Sequence, residues 1–174
     1  MEKQTKKITA KQVALYGCVL GFGIILGYIE HLIPFSFGIP GMKLGLANLA
    51  VVLSLYLFGA GPALLIGVSR ILITSFLFGS GYSLLYSMSG GLLSFFVMWL
   101  FKKVSKFSPA GISVLGGVTH NIGQLTVAFF AVKQGIVFYY VPFLVLSGAI
   151  TGSLIGILAG ILIKRLKNIP SEGK

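Results

Sequence analysis

Apolar residues fill this chain in long stretches, and the polar residues fall mostly into the short gaps between them. A helix rises ~1.5 Å per residue, so about 20 apolar residues span the hydrocarbon core of a bilayer. The pattern predicts six such spans, at about 12–33, 42–58, 63–78, 82–101, 111–132 and 140–163. Pro34 and Pro40, with Gly38 and Gly41, break the first from the second. A turn from Gly59 to Pro62 and another from Gly79 to Gly81 close the second and third. Lys102, Lys103 and Lys106 end the fourth, Lys133 follows the fifth, and Lys164, Arg165 and Lys167 end the sixth. Tyr139, Tyr140 and Pro142 suggest an interfacial segment ahead of the last span. The expected fold is all-α, a six-helix polytopic membrane bundle forming a single transmembrane domain over 1–174.

Composition supports that pattern. Hydrophobic residues make up 56 % and charged residues 10 %, against roughly 25 % charged in soluble domains. The net charge of +11 would suggest nucleic acid on a soluble protein. Here the bases sit at span ends, which reads as topology. With Lys3, Lys6, Lys7 and Lys11 on the cytoplasmic side, an alternating path places the clusters after spans four and six there too. Only Lys43 and Lys133 fall in outer loops, so both termini are expected to be cytoplasmic. The basic start and apolar run imitate a signal peptide, but the run continues to Glu30 and His31, which are expected to close the first helix at the outer interface. A retained first helix is therefore expected. Cys18 is the single cysteine, so no disulfide framework exists.

Small residues mark how helices approach one another. Gly148, Gly152, Gly156 and Gly160 recur every fourth residue on the sixth span, and Ala10, Ala14, Gly17 and Gly21 are similarly spaced on the first. Such faces let helices pack closely. Packing within the bundle is the first expectation for both, and docking of a second protein the alternative.

Polar groups inside hydrocarbon are costly and normally face a cavity or a partner. Arg70 sits near the middle of the third span, with Thr74 on its face. Ser83, Ser87 and Ser94 line the fourth, His120, Asn121 and Gln124 the fifth, and Asn48 the second. Most lie between the midplane and the outer face, which suggests an outward-opening cavity covered by the segment 34–41. Arg70, Lys43 and His120 face one acid, Glu30, so a partly anionic ligand is expected, unless Glu30 itself neutralises Arg70. The candidate binding residues are Asn48, Arg70, Thr74, Ser87, His120, Asn121 and Gln124.

The chain has no Gly-rich phosphate loop ending in Lys-Ser or Lys-Thr, and no aspartate at all. Mg²⁺ chemistry on clustered carboxylates has no ligands here. No catalytic triad or metal-ligand spacing occurs either. No enzymatic activity, metal or cofactor is expected.

The stretches 39–48 (Ile39, Pro40, Gly41, Met42, Lys43, Leu44, Gly45, Leu46, Ala47, Asn48), Tyr86 to Ser94 and His120 to Gln124 resemble the Gx transporter family. That family is also called heptaprenyl diphosphate synthase component I, and it is similar to the substrate-binding S components of energy-coupling factor (ECF) transporters. The resemblance implies a bacterial plasma-membrane subunit that binds a small metabolite, such as a vitamin, flavin or quinone/isoprenoid precursor, near the outer face. It implies a gate after the first helix, here Pro34, Phe35, Pro40, Gly41 and Lys43. It also implies partners, a transmembrane coupling protein and cytosolic ATPases, met through Ala10 and Ala14. The alternative role is a non-catalytic membrane accessory subunit for polyprenyl diphosphate or quinone biosynthesis.

Overall fold

The computed structural model describes residues 9–32, 45–105, 107–132 and 135–167. They form α1 (Ala10–Leu32), α2 (Asn48–Leu57), α3 (Ala60–Phe78), α4 (Gly81–Val104), α5 (Pro109–Val132), a 3-10 segment (Gly135–Tyr140) and α6 (Val141–Lys167). The expected gate residues Pro34, Phe35, Pro40, Gly41 and Lys43 lie outside the described residues.

Three helices and the stretch Val137–Lys167 are long and apolar enough to cross a membrane: α1, α3, α4 and α6 with its approach. α5 is equally long, at 24 residues, but Thr119, His120, Asn121 and Gln124 dilute its apolar character. The outward surface is apolar as well, with Leu65, Phe76, Phe130 and Leu154 exposed. An apolar surface of that extent suits lipid, not water. The protein is a multi-pass membrane protein.

The second span is where the expected pattern fails. α2 has only 10 residues, ~15 Å of helix, about half a bilayer. It starts late because Gly45 has a φ of +82°, outside the helical range, so the helix begins at Asn48. A short helix is tolerated because it is central. α2 touches all five other α-helices, and every residue from Asn48 to Leu55 is buried. Non-helical backbone at membrane depth is allowed where protein encloses it. The Gly45 N–H is met by the Glu30 carboxylate, which also suits the positive end of α2.

α3 starts at Ala60, earlier than expected, because Pro62 fits a first turn where its missing N–H is not needed. α4 continues to Val104 and carries Lys102 and Lys103 in its last turn. The interfacial segment expected before α6 is the 3-10 turn Gly135–Tyr140, on which Phe138 and Tyr139 are exposed.

The helices alternate in direction. Tyr16 near the start of α1 packs 4.8 Å from Phe58, just past α2. Tyr28 near the end of α1 packs 4.8 Å from Phe78, which ends α3. Tyr56 of α2 donates to the Phe107 carbonyl ahead of α5 at 3.3 Å. The start of α1 and the basic ends of α4 and α6 therefore share one end of the bundle.

Glycines set the closest helix approaches. Gly117 on α5 faces Gly148 on α6, Gly152 faces Ser113, and Gly156 faces Ala110. Gly123 of α5 and Gly90 of α4 meet the same way. Three of the four periodic α6 glycines thus serve packing, as expected, while Gly160 faces open space. α1 departs from expectation. Its buried residues are Gly23, Gly27 and Glu30, whereas Gly17 and Gly21 have nothing near them, and Ala10 and Ala14 are exposed. At about 100° per residue these two stripes lie on roughly opposite sides of the helix. The periodic small face of α1 points away from the bundle.

Candidate functional site

The polar residues of the spans meet in one line across the bundle. α1 makes room for it with two glycines. A Cβ at Gly23 would lie 3.1 Å from Arg70 Cδ, so its absence seats the arginine stem, and Thr74 Cγ2 fills the niche at Gly27. Arg70 is 6 % exposed although it sits in mid-helix. Glu30, placed by the sequence pattern at the interface, is instead buried. It holds the Gly45 N–H and lies close enough to Arg70 for a favourable Coulomb interaction.

Gly45 carries the line onward. A Cβ there would be 3.3 Å from Asn48 Nδ2 and 3.7 Å from His120 Cδ2. Gly90 of α4 then admits α5: a Cβ there would lie 3.1 Å from His120 Cε1 and 3.0 Å from Gln124 Cγ. Arg70, Glu30, Asn48, His120 and Gln124 thus form a continuous polar file from α3, past α1 and α2, to α5 against α4.

Several of these groups have hydrogen bonds left to make. Gln124 is fully buried, and neither amide atom has a partner. Arg70 Nε and the hydroxyls of Ser75, Ser83, Ser87 and Ser94 are in the same condition. A buried serine in a helix usually donates to a carbonyl one turn back, as Ser54 does to Ala50. The α4 serines do not.

Two expected site residues are otherwise engaged. Asn121 turns to α6, where its amide donates to the Leu144 carbonyl at 2.8 Å and to Ser147 Oγ at 3.2 Å. Thr74 donates back to the Arg70 carbonyl at 2.9 Å. Ser87 is buried on α4, one turn before Gly90, which meets His120 and Gln124. Ser75 was not anticipated; it follows Thr74 directly, and only the turn of α3 reveals its inward direction. Glu30 closes an apolar run, and only its bond to the Gly45 N–H ahead of α2 reveals its inward place.

Two narrow crevices reach the polar file, one at Arg70 and one at Asn48. One lies between Val51, Gly67, Arg70, Gly91 and Phe95, and another between Gly45, Asn48, Gly117 and Thr151; each has room for about one water. Among the described residues, no group of three or more His, Cys, Asp or Glu side chains could hold a metal ion.

A family model described as heptaprenyl diphosphate synthase component I matches residues 19–162. The match takes in most of α1, all of α2 to α5 and most of α6, and so every member of the polar file. No curated protein and no solved structure matches the chain. The match extends over most of the sequence, and the chain belongs to the heptaprenyl diphosphate synthase component I family.

Proposed function

We propose that this membrane protein binds a small, partly anionic metabolite along its buried polar file, as the substrate-binding subunit of an ECF-type importer. The observation that carries the reading is the set of unmade hydrogen bonds at Gln124, Ser75, Ser83, Ser87 and Arg70 Nε. Each buried unsatisfied group costs about 1–3 kcal/mol, and a domain's whole stability is about 5–15 kcal/mol. Several such groups in one small bundle are hard to sustain unless an occupant completes them. Arg70 supplies the cation for an anionic part, while Leu49, Val52 and Ile71 supply apolar contact. The crevices are water-sized, so entry requires the helices around them to part. α1 is suited to that movement, since only 11 % of its span is buried, against 33–39 % for the others.

Three further features agree. Lys11, Lys102, Lys103, Lys164, Arg165 and Lys167 gather at one end of the bundle, which favours that end, and both termini, facing the cytoplasm. The chain lacks a phosphate loop, so energy for import would come from partner ATPases. The outward small face of α1, with Ala10 and Ala14, is open for a coupling protein.

The family description favours a second reading, a membrane accessory subunit of a polyprenyl diphosphate synthase. With no aspartate in the chain, that role would be anchoring and not prenyl transfer. Mass spectrometry of the purified protein separates the two. A small molecule present at about one per chain is expected for the binding subunit. A soluble synthase retained without any metabolite would favour the accessory role and end the first reading.

A further inference from the structure

The end of the bundle opposite the polar file carries a second feature. An open groove of about 190 Å³ lies between Leu55, Ala60, Trp99, Lys102 and Lys103. Lys102 reaches across it to the Leu55 carbonyl, with its ammonium 4.7 Å from the Tyr56 ring centre. That bond uses one of the three donors of the ammonium. Lys103 lies 5.7 Å from the ring centre of Trp99. Lys167 of α6 is near enough to act on Lys102 by charge repulsion.

The floor of the groove adds positive potential of a different origin. α3 starts there, its N-cap is Gly59, and no side chain caps it. Pro62 brings no N–H to this first turn and the Ala63 N–H bonds back to Gly59, so its free amides are those of Ala60 and Gly61. An uncapped helix start attracts anions through its free N–H groups and its dipole. Glu30 is the acid among the described residues, and it lies at the other end of the molecule. Two lysines from α4 and the start of α3 therefore converge on one open groove, with Lys167 of α6 acting on Lys102 and no carboxylate beside them among the described residues.

Snorkelling lysines at a span end are common and need no ligand. The uncapped helix start and the shaped groove go beyond that. Trp99 and Leu100 are exposed beside it, where an acyl chain would lie, and tryptophan favours the headgroup level. We propose that this groove binds the phosphate of an anionic lipid, with Lys102 and Lys103 as its cationic contacts and the first turn of α3 as its amide contact. A soluble phosphate compound offers the same chemistry from another source.

Trp99 is the only tryptophan in the chain, so its fluorescence reports the groove directly. The full chain in detergent is titrated with brominated phosphatidylglycerol, and separately with brominated phosphatidylcholine, and quenching is followed. A preference of roughly tenfold for phosphatidylglycerol is expected from two lysines at the surface. It should fall to near parity in Lys102→Gln/Lys103→Gln and persist in Lys164→Gln, which removes the same kind of charge outside the groove. Should the double variant fail to fold, Lys103→Gln alone carries the test, because Lys103 is exposed and is not the residue bonded to Leu55. Equal quenching by both lipids, or a preference that survives the lysine substitutions, would overturn the site. Inorganic diphosphate that displaces phosphatidylglycerol at lower concentration than the lipid itself would overturn the lipid assignment in favour of a soluble ligand.

Discussion

Arg70→Met and Glu30→Gln are each expected to lower the stability of the extracted protein by about 1–3 kcal/mol, because each leaves a buried charge without the opposite charge that acts on it. The substitutions are chosen to remove charge and little else. Methionine keeps an unbranched stem in the space that Gly23 leaves beside Arg70. Glutamine keeps an oxygen to accept the Gly45 N–H. The double variant removes both charges together, so it is expected to lie closer to wild type than either single one. Thermal unfolding in detergent gives the cycle. Additive losses would show that Glu30 and Arg70 act separately, Glu30 serving only the start of α2 and Arg70 some other group.

The second large effect is steric, and its sign differs at two positions of the same helix. A Cβ at Gly152 would lie 2.6 Å from the Ser113 carbonyl oxygen and 2.8 Å from Val114 Cα. Both are backbone atoms, so α5 and α6 must separate to admit it. That separation stretches the Asn121 bond to Leu144 as well. Gly152→Ala is expected to cost at least ~1–3 kcal/mol, as overpacking does. Gly160→Ala meets nothing within 4 Å and is expected to gain about 0.5–1 kcal/mol, since alanine is the better helix former. Equal behaviour of the two variants would contradict the close α5–α6 approach.

The helices were legible in the sequence because lipid leaves few alternatives. Long apolar runs, glycine and proline breaks and basic ends mark α1, α3, α4, α5 and α6 to within a few residues. α2 is shorter than the sequence pattern suggests because Met42 to Phe58 is mostly apolar, and glycine in such a run does not announce a positive φ. The positive φ at Gly45 starts the helix late, and the central place of α2 in the bundle tolerates it; both are tertiary facts. The two glycine sets of α1 show the same limit. Both have helical spacing, and only contact with α3 decides that Gly23 and Gly27 face inward while Gly17 and Gly21 do not.

The candidate site was legible residue by residue but not in its connections. Arg70, Asn48, His120 and Gln124 stand out because polar groups are rare in spans. Asn121 stands out equally, yet one step round the helix from His120 directs it to α6 and into packing. Glu30 looked like an interfacial acid because it closes an apolar run; the late start of α2 draws it inward.

Gln124 offers the most direct test of a ligand site. It is fully buried with neither amide atom paired, so Gln124→Leu removes an unsatisfied amide from the empty protein and should stabilise it by about 1–3 kcal/mol. If the amide serves an occupant, the same substitution must weaken that occupant's binding. The measurement is the occupancy of the co-purified small molecule, by mass spectrometry, in wild type and Gln124→Leu, alongside the Tm of each after exhaustive washing. The expected result is a higher Tm for the washed variant together with at least a tenfold loss of bound molecule. Equal occupancy in both proteins, or none in either, would contradict a ligand site in the polar file.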